Sequence, residues 1–93
     1  DPPSFGRGPG GKTWKIERDL GELLRGCVEL LAPEPLFLLV TAHTESWRMG
    51  DLAERLESAA AGRSGSTGCG DLTLRTEDGR RLRAGIFAWR DFQ

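Results

Sequence analysis

At 93 residues the chain makes one domain or part of one, near the lower limit at which a self-sufficient apolar core is built. Its 38% hydrophobic and 29% charged residues are those of a soluble globular protein, which sets aside a disordered tail. A formal net charge of -1 excludes any global pull towards nucleic acid or anionic membrane, so contact with a polyanion would need a local patch.

The chain opens on Asp1-Pro2-Pro3-Ser4-Phe5-Gly6-Arg7-Gly8. Two prolines in succession lock φ and remove two N–H donors, so this backbone is neither helix interior nor mid-sheet. Two readings follow: a loose terminal tail, or a rigid turn at a strand end that presents Asp1 and Phe5 outward. Residues 1–13 are glycine- and proline-rich and are expected to form a loop. Gly6 to Thr13 superficially echoes a phosphate-binding loop, but the fixed spacing and preceding strand are missing and Pro9 removes a donor. A flexible loop on the substrate side is the preferred reading.

Asp19 and Glu22 stand at capping-box spacing. Leu20, Leu23, Leu24, Cys27, Val28 and Leu31 then recur on one helical face, opposite Glu22, Arg25 and Glu29, for about three turns. Cys27 falls on that apolar face, where a free thiol acts as a small hydrophobe. Pro33 and Pro35 end the helix. Leu36 to Ala42 is apolar without alternation, which predicts a central parallel strand buried on both faces. Beyond it, Thr41-Ala42-His43-Thr44 occupies a strand's carboxyl end, where open α/β sheets bind ligands. His43 reads equally as a site residue or as an exposed loop histidine.

A second helix is expected from about Ser46 or Gly50 to Ala61, with Leu52, Ala53, Leu56, Ala59 and Ala60 as its apolar stripe and Gly62 beyond. Arg63 to Gly70 reads as a loop. Asp71 to Thr76 alternates like a half-buried strand, and Asp78-Gly79 marks a tight turn. The returning strand puts Leu82, Ala84, Ile86 and Ala88 on one side, with Phe87 and Trp89 on the other. Arg80, Arg81 and Arg83 read as a solvated, edge-protecting set. Cys27 and Cys69 have no metal-ligand spacing, which suits a reducing, cytoplasmic setting, and no metal site is expected. The longest apolar run is too short to span a membrane, and the missing initiator Met fits a fragment or processed product.

An Asp-Pro-Pro strand end, then α, β, α and a terminal antiparallel hairpin over 71–90, resembles the C-terminal half of a Rossmann-like S-adenosylmethionine-dependent methyltransferase. The eight-residue opening, with Trp14-Lys15 following, looks like the bacterial large-subunit rRNA methyltransferase group. The resemblance implies an α/β fold of order loop-α-β-α-β-β, whose last strand inserts beside Leu36–Ala42. It also implies a methyltransferase acting on an rRNA base, with S-adenosylmethionine held mainly by residues upstream of Asp1. Residues 1–93 would be the C-terminal part of one catalytic domain, whose first partner is its own N-terminal half. By the same resemblance Asp1, Pro2 and Pro3 are catalytic, with Asp1 and Pro2 also touching the cofactor. Ser4, Phe5, Gly6, Arg7, Thr41 and His43 would meet the substrate, Phe5 by stacking on a displaced base. Phe5 as a core residue is the alternative. The cysteine that cytosine-5 methylation needs is absent from Pro3-Ser4 and from Thr41 to Thr44, and Ser4 separates Pro3 from the aromatic; the target atom stays open. The isolated chain is expected neither to bind the cofactor tightly nor to turn over. A small α/β interaction module without catalysis, or a methyltransferase for a small molecule or protein, are the alternative functions.

Overall fold

A computed structural model describes all residues from Asp1 to Gln93. The opening segment is more ordered than a loop. Strand β1 (Phe5–Arg7) pairs antiparallel with β2 (Thr13–Lys15), and a single 3-10 turn at Pro9–Gly11 closes the hairpin. Gly6 and Trp14 stand opposite each other in that ribbon, and Trp14 packs onto the core. The expected loop over 1–13 is therefore corrected to a β-hairpin, whose tight turn was hidden behind its glycines.

Helix α1 (Ile16–Glu29) follows β2 without a break, one turn before the expected capping box. Asp19 accepts instead from the Lys15 N–H at 2.9 Å, and Ser4 C=O accepts from the Ile16 N–H at 3.0 Å, so two donors at the helix start are satisfied. Its buried row is Ile16, Leu20, Leu24 and Val28, spaced four apart, each contributing about 1.5–3 kcal/mol by burial. Leu23 and Cys27 fall one position off that row; Leu23 is exposed and Cys27 is half-buried.

Strand β3 (Phe37–Ala42), helix α2 (Met49–Ala59), strand β4 (Ser66–Arg75) and strand β5 (Arg81–Asp91) complete the chain. Asp51 accepts from the Arg48 N–H at 2.8 Å, fixing the start of α2. The sheet order is β3-β5-β4, with every pairing antiparallel. The final strand thus inserts beside β3, as the resemblance implied. Strand β4 begins at Ser66, so the Arg63–Gly70 loop is shorter than expected and the hairpin longer.

Both helices lie on one face of the sheet. Val40, Ala42, Ile86 and Ala88 meet Ile16, Leu20, Leu24, Trp47, Leu52 and Leu56 there in one core. The opposite face is bare: Phe37 and Leu39 are 62% and 53% exposed, and Trp89 stands beside Leu39 in register. Within this chain β3 is consequently an edge strand with one antiparallel neighbour. The expected central parallel strand buried on both faces is corrected, because nothing in residues 1–93 covers its outer edge or second face.

A bulge explains a further difference. Leu72 stands opposite Gly85 and Thr73 opposite Arg83, leaving Ala84 as the extra residue on β5. The side-chain phase shifts at that point, so Leu82 falls on the face of Phe87 and Trp89 rather than with Ile86. On that same bare face Trp89 and Phe87 lie flat over Gly68 and Gly70. A Cβ at Gly68 would stand 2.2 Å from the Trp89 ring, and one at Gly70 2.6 Å from the Phe87 ring.

Candidate functional site

The Asp1–Ser4 segment is pinned at both of its sides. The Trp14 indole Nε1–H donates to Pro3 C=O at 2.6 Å, which ties the prolines to the hairpin. Ser4 Oγ and Thr44 Oγ1 lie 2.8 Å apart, across forty residues of sequence, and Thr44 is buried although it follows the end of β3. His43 Nε2 lies 3.6 Å from Asp1 Oδ2, within ion-pair reach though longer than a hydrogen bond. Both side chains are a little over half exposed, so this pairing orients more than it stabilises.

The opening segment and the carboxyl end of β3 therefore form one lip. Asp1, Pro2, Pro3, Ser4 and His43 come together in it; His43 is an exposed loop residue, as one of its two readings had it, and it stands beside Asp1. Gly6 and Arg7 continue from the lip into β1. Phe5 is 54% exposed and lies outside the core that this chain builds. Phe5 and Arg7 share the ribbon side opposite Gly6. Residues 5–15 carry Arg7, Lys12 and Lys15 and no carboxylate. Thr41 stands apart: it lies opposite Phe87 on the bare face of the sheet, and no hydrogen bond joins it to the lip.

Four carbonyls line the start of the chain, and two of them are engaged. Pro3 C=O accepts from Trp14 and Ser4 C=O from Ile16, whereas those of Asp1 and Pro2 accept from nothing within the chain. The lip thus offers a carboxylate and two free main-chain acceptors, a set suited to N–H or ammonium donors. Behind it, a cleft of ≈ 430 Å³ runs between the His43 loop and β5, lined by His43, Glu45, Arg83 and Gly85 among others. A larger groove of ≈ 690 Å³ lies between Trp14 and the exposed side of α1, but it holds none of the sequence-predicted site residues.

Two carboxylates near the hairpins have lowered pKa values. The Arg18 guanidinium and the Lys15 N–H hold Asp19 below the usual carboxylate range. Thr76 and Arg80 do the same for Asp78 at the tight turn. Neither belongs to the lip. Gly85 is the residue of the site that sequence reasoning did not single out; Thr44 was read at a ligand-binding strand end and Trp14 only as part of the opening motif. The signal Gly85 left is that of a glycine inside a strand pattern.

Across its whole length the chain superposes on part of a solved structure, "Crystal Structure of the SAM Dependent Methyltransferase from Agrobacterium tumefaciens", with a TM-score of 0.89 and 30% sequence identity. The fold is that of a methyltransferase segment. The chain spans 32% of that methyltransferase's length, about a third. No protein-family model matches the sequence, and no curated protein matches it. No helix of this chain is long and apolar enough to cross a membrane.

Proposed function

We propose that the chain is the target-facing, C-terminal part of an S-adenosylmethionine-dependent methyltransferase that acts in the cytoplasm on a base of large-subunit ribosomal RNA. The observation that carries the reading is the lip. Asp1-Pro2-Pro3-Ser4 is held by His43, Thr44, Trp14 and Ile16 at the carboxyl end of β3, in a chain whose fold matches a methyltransferase throughout. In open α/β sheets that end of the strands is where ligands bind.

The residues fit the cofactor and target in kind. When bound, S-adenosylmethionine supplies an electrophilic methyl group on a sulfonium. The free carbonyls of Asp1 and Pro2 would take its ammonium or a base N–H, and the Asp1 carboxylate would accept from a base edge and favour positive charge as it develops. Methyl transfer is an in-line displacement, so alignment by such a rigid turn is the main contribution asked of these residues. Phe5 would stack on an extruded base while Arg7 and Lys15 meet phosphate, which suits single-stranded RNA better than a small metabolite.

The bare sheet supports the same reading. The open edge of β3 and the exposed Leu36, Phe37, Leu39 and Trp89 are suited to a further strand and covering helices from an upstream half of the domain. That half would hold most of the cofactor, and calorimetry on residues 1–93 alone is expected to find no micromolar cofactor binding. The full-length protein, assayed for methyl transfer, should modify ribosomal RNA. Transfer to a metabolite panel and not to RNA would overturn the substrate; transfer to neither, with cofactor bound, would overturn the activity.

A further inference from the structure

We propose that Gly85 is a positioning residue for the lip: by having no side chain it seats the His43 imidazole, and His43 in turn aims the Asp1 carboxylate. The argument starts in β5. Ala84 is the extra residue of the bulge, and Gly85 immediately after it has φ +128, a backbone that side-chain-bearing residues rarely adopt. A Cβ there would stand 2.7 Å from Ala42 C=O and 3.1 Å from both Cε1 and Nδ1 of His43. The first distance is closer than Cβ atoms approach, and the second would push the ring outward. Without that Cβ, the Nδ1–Cε1 edge of the imidazole faces Gly85, and the other ring nitrogen, Nε2, lies 3.6 Å from Asp1 Oδ2.

The surroundings make this a directed contact. The loop carrying His43 is anchored by the next residue, since Thr44 is buried and bonded to Ser4. The other charged groups lining this cleft are Glu45, on the same loop, and Arg83, on β5. Arg83 is already engaged by Asp71 of β4 at 3.1 Å, so it does not compete for Asp1. A bulge, a left-handed glycine and a buried threonine thus converge on the orientation of one carboxylate. Bulges beside functional sites commonly re-aim a side chain in this way.

The functional consequence rests on the proposed methyltransferase reading; the seating itself does not. The test uses the intact protein with Gly85→Ala, His43→Gln, Asp1→Asn and the Gly85→Ala/His43→Gln pair. The His43 ring signals, identified by their loss in His43→Gln, are followed by NMR, and methyl transfer and S-adenosylmethionine affinity are measured in parallel. The ring signals are expected to shift in Asp1→Asn and to lose their close contact with residue 85 in Gly85→Ala. Misplacing a positioning group by about 1 Å costs on the order of 10²-fold in rate, so Gly85→Ala and His43→Gln should each slow transfer by about that factor, leaving cofactor affinity within about twofold. The pair should be no slower than His43→Gln alone. Ring signals unmoved by Asp1→Asn would overturn the proposal, as would a Gly85→Ala effect that persists undiminished without His43. If Gly85→Ala does not fold, the Asp1→Asn response of the ring decides by itself. Ring signals that move in a protein that methylates nothing would refute the proposed function and leave the seating intact.

Discussion

Ser4 and Thr44 share one hydrogen bond, yet removing it from either side should not cost the same. Thr44 is only 8% exposed while Ser4 is open to solvent, and their oxygens lie 2.8 Å apart. Thr44→Val keeps the shape and leaves the Ser4 hydroxyl free to turn to water. The loss is the net value of one hydrogen bond, about 1 kcal/mol. Ser4→Ala leaves the buried Thr44 hydroxyl without a partner, and its unrecovered desolvation raises the cost to about 1–3 kcal/mol. Combining the two removes both partners, so the double variant should be no less stable than Ser4→Ala alone. Urea denaturation of the four proteins reads these differences as midpoint changes at constant slope. The coupling should exceed the roughly 0.3–0.5 kcal/mol scatter of independent sites. A larger loss for Thr44→Val than for Ser4→Ala, or simple additivity, would refute the view that this bond docks the opening segment onto β3. Because the bond holds the lip, Thr44→Val should also slow methyl transfer while sparing cofactor affinity.

Further outcomes are expected elsewhere in the chain. Asp1→Ala in the full-length protein should reduce methyl transfer far more than S-adenosylmethionine affinity, and equal losses of both would remove Asp1 from the target side. Gly68→Ala forces a Cβ to within 2.2 Å of the Trp89 ring and should destabilise by about 1–3 kcal/mol. In a Trp89→Ala background that penalty should vanish, as a thermal-unfolding double-mutant cycle would show. Asp19 has its folded pKa held down by Arg18 and the Lys15 N–H, so its contribution is fully present above the ordinary value near 3.8 and is lost as pH falls through the depressed one. Asp19→Asn should therefore be less stable than the parent at neutral pH, with the gap closing below about pH 4; a gap that widens in acid would reverse the assignment.

Local chemistry was legible without any coordinates. Leu20, Leu24 and Val28 of α1 follow from the helical period, the apolar block of β3 from its composition, and the β4–β5 turn from Asp78-Gly79. The C-terminal order of elements was therefore readable, whereas the opening motif and the end of β3 were joined only by the family resemblance. Where the reading slipped, a competing local signal had intervened. The glycines between Gly6 and Gly11 masked a hairpin, Asp19 looked like a helix start though it reaches back to Lys15, and one extra residue at Ala84 reversed the faces of Leu82 and Ile86.

Periodicity and turn chemistry act over a few residues, so the sequence by itself determined the two helices, the apolar block of β3, the β4–β5 turn and which motif leads the chain. Partners distant in sequence were decided only in three dimensions. The insertion of β5 between β3 and β4, the exposure of Phe37 and Leu39, and the contacts of Asp1 with His43 and Ser4 with Thr44 each join segments that no local pattern connects. The seat under His43 belongs to the same class: a glycine on the last strand matters because the sheet brings it against a loop more than forty residues earlier, where a single Cβ would not fit.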